Sequence, residues 1–189
     1  MVYRNHLVNR NSLEYQRYEY IKKILAFIVK DEPYIFFDEC AMHGFLTKRK
    51  SWSYSDEPIL APINSGYRLK QSIYGSLSNK FDRPHLWYAY RSTNGEDCLE
   101  YFKLLLEECR KVTDQKFHLI MDGHKAHYSV KHGSKEFLNQ NFIVHQMPSG
   151  SPQINAIEHL WSSFKRRFKK ALMLNPERKM TQNDFDTRL

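Results

Sequence analysis

Three acidic side chains in this sequence stand where metal-assisted chemistry at a phosphate would need them. Asp38 follows the unbroken apolar run Tyr34-Ile35-Phe36-Phe37, itself preceded by the breaker Pro33, and Asp122 follows Phe117-His118-Leu119-Ile120-Met121. A short apolar run with such a boundary fits a strand buried on both faces. Both aspartates are therefore expected at the C-terminal end of a buried strand, the edge at which open α/β sheets bind ligands. Glu158 falls in the first turn of a helix after the loop Met147–Pro152. Carboxylates gathered from separate elements repel one another, and a shared Mg²⁺ removes the conflict because it takes hard oxygen ligands and keeps water for chemistry. Two such ions ~3.5–4 Å apart can activate a nucleophile and stabilise a leaving oxygen at one phosphorus. Each residue also has a plainer reading. An aspartate after a strand is often a turn former or a helix cap. Asn155-Ala156-Ile157-Glu158 matches a capping-box-like pattern, with Asn155 at the N-cap and Glu158 at N3. Glu39 is the adjacent rival of Asp38, and strand alternation points the two to opposite faces, so only one of them should face a site.

Other reactive types are sparser. His124 and His127 flank Asp122, but a His-x-x-His pair without a third partner is weak zinc evidence, and His127 reads better as orienting a loop or meeting a phosphate. Cys40 lacks an evident base and reads as a buried thiol. Lys and Arg exceed Asp and Glu by 29 to 21, a formal charge of +8 with a pI near 9.3, which favours polyanionic partners, nucleic acid first. Two clusters could meet phosphates: Lys48, Arg49 and Lys50 before Trp52, and Lys165, Arg166, Arg167, Lys169 and Lys170 on the last helix. A solvated surface face is the bland alternative for both.

The elements that must position these residues can be placed from pattern. Ser12 can cap a helix over 13–30, with Tyr20, Ile24, Phe27 and Ile28 at helical spacing. Strands are expected at 34–37, near 50–54, at 69–77 and at 86–91, with Asn94-Gly95 as a turn. A helix over 96–112 carries the stripe Leu99, Phe102, Leu105 and Leu106. A strand at 117–121, a helix at 132–140, a strand at 142–144 and a helix from Asn155 to about Leu174 complete the order, which is α/β with a mixed sheet. The length of 189 residues suits one domain or a cramped two, and 41% hydrophobic residues exclude disorder as the main state. No apolar run approaches the ~20 residues of a bilayer span, and the first twenty residues lack a signal peptide's apolar core. Three cysteines without a CxxC spacing point to a reducing, intracellular compartment.

The string Ser151-Pro152-Gln153-Ile154-Asn155-Ala156-Ile157-Glu158-His159-Leu160-Trp161, followed by Phe164-Lys165, resembles the signature around the last catalytic carboxylate of mariner-type transposases and their insertion-sequence relatives, members of the DDE transposase superfamily. Phe36-Phe37-Asp38-Glu39 resembles that family's first catalytic strand. Leu119-Ile120-Met121-Asp122 followed by His127 resembles the second, and the thirty-five residues between Asp122 and Glu158 match the family's nearly fixed interval. The resemblance covers roughly residues 33–170. It departs at Gly123, where the family usually has Asn, at Ala156, where it usually has Pro, and at Met147-Pro148-Ser149-Gly150, a loosened form of Leu-Pro-Pro-Tyr.

The resemblance implies an RNase H-like fold, a mixed central sheet flanked by helices, with Asp38, Asp122 and Glu158 as catalytic residues holding two Mg²⁺ or Mn²⁺ ions. The implied reaction is DNA strand cleavage by activated water, then strand transfer by a DNA 3′-hydroxyl. The implied partners are transposon ends, target DNA and a second subunit, with no membrane and no small-molecule cofactor. The implied place is intracellular: the nucleus in a eukaryote, the cytoplasm or nucleoid in a bacterium. The expected organisation is an arm and helix over 1–32, a catalytic domain over 33–175 and a tail over 176–189. Family members carry an N-terminal helix-turn-helix region, for which residues 1–32 have no room, so a catalytic domain alone is expected. The rival reading is a decayed or domesticated domain that binds DNA or protein without catalysis.

Overall fold

The chain runs α1 (Leu13–Ile28), β1 (Tyr34–His43), β2 (Lys70–Ser78), β3 (His85–Ala89), α2 (Gly95–Val112), β4 (His118–Met121), α3 (Ser134–Asn141), β5 (Ile143–Gln146) and α4 (Ile157–Leu174), with a 3₁₀ turn at Pro152–Ile154. The computed structural model describes residues 12–43, 70–89 and 93–174. The strand expected near 50–54, the Lys48-Arg49-Lys50 cluster, the first eleven residues and the tail lie outside the described residues. Among the described residues no helix is long and apolar enough to cross a membrane.

The five strands form one sheet in the order β3-β2-β1-β4-β5. β1 pairs antiparallel with β2 and parallel with β4; β2–β3 is antiparallel and β4–β5 parallel. This mixed sheet is the expected α/β architecture. β1 corrects one expectation. The apolar run ends at Phe37, but the strand continues to His43, paired with β2 as far as His43↔Lys70. Asp38 is therefore in mid-strand, not at the strand's end. The reason is that β1 has different neighbours along its length. Its pairing with β4 stops at Phe36↔Ile120, whereas its pairing with β2 goes on. Beyond Phe37 only alternate residues are buried (Cys40 and Met42), which an all-apolar run does not anticipate.

Alternation on β1 divides the core in two. Ile35 and Phe37 pack with Phe102 and Leu105 of α2 and Leu138 of α3. Cys40 and Met42 pack on the other face with Ile157, Trp161 and Phe168 of α4. α1 lies on that second side, its Ile24 and Phe27 against Ile120 and Met147. Fully burying an aliphatic or aromatic side chain stabilises by roughly 1.5–3 kcal/mol, so these contacts fix where each helix sits.

Local signals set the helix boundaries. Ser12 caps α1 by accepting from Tyr15 N–H at 3.2 Å, and α1 ends ahead of Asp31, whose φ is +53°, and Pro33. Asn94-Gly95 is not a free turn. Asn94 Oδ1 accepts from the N–H groups of Glu96 and Asp97 at 3.0 and 2.9 Å, which makes it the N-cap of α2. A side-chain oxygen here satisfies donors that the helix start leaves open.

Candidate active site

Asp38, Asp122 and Glu158 line one cavity of about 300 Å³, together with Gly123, His124, the loop Met147–Pro152 and Asn155. The sheet brings the first two together. Asp38 lies two positions beyond Phe36, and Asp122 two beyond Ile120, so they are level where the β1–β4 pairing has just ended. α4, packed on the same face of β1 through Ile157 and Trp161, delivers Glu158.

Each carboxylate has its own surroundings. Burial raises the Asp38 carboxyl to about 7, and the neighbouring Glu39, Glu158 and Asp122 charges add to the rise. Trp161 Nε1–H donates to Asp38 Oδ2 at 3.2 Å, so the indole that anchors α4 also holds the aspartate. The ring needs room across β2: Gly75 is the register partner of Asp38, and a Cβ there would lie 2.5 and 2.7 Å from Trp161 carbons. Asp122 is held differently. Its Oδ1 accepts from His124 N–H at 2.9 Å and lies 3.0 Å from His127 Nδ1. The His127 hydrogen bond is the first cause that keeps its pKa below the usual carboxylate value, with burial opposing.

Glu39 points away from Asp38, as alternation requires, and reaches His127 Nε2 at 2.6 Å from the α2 side of the sheet. His127, fully buried, thus sits between two carboxylates. Burial lowers its affinity for a proton, but hydrogen bonds and charge from Asp122 and Glu39 outweigh that and raise its pKa to about 9. The imidazolium is the clamp that orients Asp122. The expected loop-orienting role for His127 is thus given a specific partner.

Asn155 does not cap α4 with its side chain. Its Nδ2–H donates to the Phe37 carbonyl at 3.2 Å, tying the start of α4 to β1 next to Asp38, while its Oδ1 is buried without a hydrogen-bond partner. The backbone alone closes the turn, with Glu158 N–H donating to Asn155 O at 3.1 Å. The capping alternative is not realised: the oxygen that would cap stays unpartnered, while the amide N–H ties the turn to β1. Arg17 is a residue that sequence reasoning missed. From α1 its Nε donates to Ser151 Oγ at 2.8 Å and its Nη2 to Gly150 O at 2.6 Å, across the loop that lines the cavity. No local pattern around Arg17 marks it, because the partners lie over 130 residues later.

The basic residues of α4 do not share one face. Lys165, about two turns beyond Glu158 and on its side of the helix, lies beside the Cys40 thiol. Arg167, about two and a half turns beyond Glu158, is on the opposite side, and Arg166, Arg167 and Lys170 are exposed. The side chain of Lys169 lies outside the described residues. Burial pushes the Cys40 thiol up, which fits a structural rather than a nucleophilic role.

The cavity suits a hard divalent cation. Three carboxylates line it, one of them raised to about 7 by burial and its neighbours' charge, and Asn155, whose Oδ1 is buried without a partner, is among the lining residues. Oxygen donors with excess negative charge are what Mg²⁺ or Mn²⁺ takes.

Comparison with known proteins gives this arrangement a family. The sequence matches the DDE superfamily endonuclease family over residues 33–178. A comparison with curated protein sequences found no match. Among solved structures, the chain is similar to a pre-cleavage Mos1 transpososome (TM-score 0.66, 12% identity, 99% of this chain and 57% of that one). It is also similar to a Mos1 transposase paired-end complex with the left transposon end (TM-score 0.62, 14% identity, 91% and 52%). A third is the catalytic domain of Mos1 mariner transposase (TM-score 0.58, 13% identity, 96% and 80%). The chain spans about half the length of the chains in the two complexes. The sheet order and flanking helices are those of the RNase H-like fold. With the fold, the three-carboxylate cavity and the family match in agreement, this chain belongs to the DDE superfamily endonucleases.

Proposed function

We propose that this chain is a transposase catalytic domain that cleaves DNA strands and joins a 3′-hydroxyl end to target DNA, with Asp38, Asp122 and Glu158 as the metal-holding catalytic residues. The observation that carries the reading is the convergence of these three carboxylates, from β1, the end of β4 and the first turn of α4, on one cavity. When bound, divalent cations supply a Lewis acid for the phosphate oxygens and a water or hydroxyl made acidic enough to attack. The chain's own residues do the rest. His127 and the His124 N–H hold Asp122 in one orientation. Trp161 does the same for Asp38. Asp38 gives up its proton as it becomes a ligand, since a ligating carboxylate must be ionised. The loop Met147–Pro152, latched by Arg17, forms the cavity wall. Use of two ions per site and assembly as a homodimer belong to the same proposal, as does an intracellular place of action. No observation favours the non-catalytic alternative.

The test is nicking of supercoiled plasmid in Mg²⁺ or Mn²⁺. Asp122→Asn keeps the shape of the side chain but removes the charge that holds the cation, so nicking should vanish while the circular dichroism spectrum stays unchanged. Full-rate nicking by Asp122→Asn, or in excess chelator, would overturn the assignment.

A further inference from the structure

Glu39, on the face of β1 opposite Asp38, meets two histidines of the loop that follows β4: His127, which is fully buried, and His124, which also lines the three-carboxylate cavity. Glu39 Oε2 lies 2.6 Å from His127 Nε2 and its Oε1 lies 3.4 Å from His124 Nδ1. One ligand atom from each of the three residues falls within 4.8 Å of those of the other two. The His-x-x-His spacing lacks a third ligand in the sequence; the fold supplies it from β1.

We propose that Glu39, His124 and His127 form a second cation site, next to the three-carboxylate cavity and sharing His124 with its lining, that takes a borderline transition metal such as Zn²⁺. Two imidazole nitrogens and one carboxylate oxygen are a donor set for Zn²⁺ and its neighbours rather than for Mg²⁺, which prefers oxygen alone. Three protein ligands leave a fourth position for water. With metal–ligand bonds of about 2.0–2.2 Å, tetrahedral ligand atoms lie roughly 3.3 Å apart. Glu39 Oε1 is already at that spacing from His124 Nδ1. On the His127 side the near oxygen is the other one, Oε2 at 2.6 Å from Nε2, so ligation through a single oxygen requires the Glu39 carboxylate to rotate.

Two further features suit the site. His127 presents its other nitrogen, Nδ1, to Asp122 Oδ1 at 3.0 Å. A carboxylate on the far nitrogen of a ligating histidine fixes ring orientation and tautomer and raises the basicity of the metal-facing nitrogen. Burial is graded in a useful way: the side chains of His127 and Glu39 are 0% and 13% exposed, while that of His124 is 52% exposed. Two ligands are held fixed and the third is reached from solvent. On binding, the proton between Glu39 and His127 passes to solvent and the Nε2 lone pair goes to the metal. Occupancy would also stiffen Asp122 through His127, linking this site to the neighbouring cavity.

The experiment adds Co²⁺ to the metal-free full chain and follows visible d–d absorption. The expected result is a band that saturates at one equivalent, is removed by Zn²⁺ and is untouched by excess Mg²⁺. His124→Ala changes a half-exposed loop residue and should fold, as far-ultraviolet circular dichroism will show. It should weaken the site by at least roughly tenfold, since even outer-shell changes cost about 10–100-fold. Glu39→Gln should weaken it likewise, and Asp38→Asn should leave it intact. No band at stoichiometric Co²⁺ would overturn the proposal, as would a band that survives in His124→Ala. Loss of the band in Asp38→Asn would overturn it too, by placing the metal among the three carboxylates. None of these readouts uses DNA, so the result stands apart from the fate of the proposed nuclease activity.

Discussion

Asp38, within β1, and Asp122, one residue beyond the end of the neighbouring parallel strand β4, stand level, each two positions past the last paired residues, Phe36 and Ile120. Where this pairing stops, the two carboxylates come together in a cavity that a third, Glu158, also lines. The arrangement costs stability in the metal-free protein and is therefore a source of measurable effects.

Asp38→Asn should stabilise the metal-free chain and remove its response to metal. The folded pKa of Asp38, about 7, lies above its unfolded value of 3.8. The folded state then holds this proton more tightly, so the group's contribution is most favourable below about pH 3.8 and is lost as pH rises through about 7. The cost above pH 7 is at most about 4 kcal/mol, at 1.36 kcal/mol per unit. His127, raised to about 9, contributes a loss of the same sign between about 6.5 and 9. Thermal melts in chelator from pH 5 to pH 8 should show wild type falling more steeply than Asp38→Asn, and Mg²⁺ or Mn²⁺ should raise the melting temperature of wild type only. Parallel pH profiles would contradict this account.

Gly75 and Trp161 should be energetically coupled. Gly75→Ala places a Cβ 2.5 and 2.7 Å from two carbons of the Trp161 six-membered ring, and overpacking of this kind costs about 1–3 kcal/mol. Trp161→Phe removes those carbons together with the N–H that donates to Asp38. In a double-mutant cycle by urea unfolding, the alanine should cost clearly less in the Trp161→Phe background, a coupling of about 0.5–3 kcal/mol. Additive costs would mean that β2 shifts to accommodate the methyl group.

Arg17→Ala should loosen the cavity wall without unfolding the domain. The two hydrogen bonds to Ser151 and Gly150 come from one guanidinium, and Lys does not reproduce that fork. Hydrogen exchange across residues 148–155 should speed up in both Arg17→Ala and Arg17→Lys, while the β1 and β4 amides stay protected. Unchanged exchange in the loop would show that the latch has no mechanical role.

Lys165 and Arg167 should differ in DNA binding. Lys165 lies on the Glu158 side of α4 and Arg167 on the opposite side. If DNA lies across the cavity, Lys165→Ala should lower affinity for unrelated duplex and flatten the salt slope by about 0.9, the value for one phosphate contact. Arg167→Ala should do neither. Fluorescence anisotropy over a salt series decides; equal slopes for both variants would place DNA elsewhere.

Much of this protein is written in local pattern. The Ser12 cap, the stripe of α2 and the apolar runs of β1, β4 and β5 mark elements that the structure contains, because burial and capping act over a few residues. The motif around Glu158 lies in the stretch that matches the family, and it is local in sequence. Four things were settled only in three dimensions. β1 runs on past Phe37 because β2 offers it hydrogen bonds where β4 no longer does. Asn155 donates its amide N–H to the Phe37 carbonyl, and its oxygen does not cap α4. His127 becomes an imidazolium because the sheet sets Glu39 on one side of it and Asp122 on the other. Arg17 closes the cavity wall from a helix far away in the sequence. In each case the partner is supplied by strand register or helix docking, and a side chain's charge, tautomer and hydrogen bonds follow from partners that its own neighbours in the chain do not reveal.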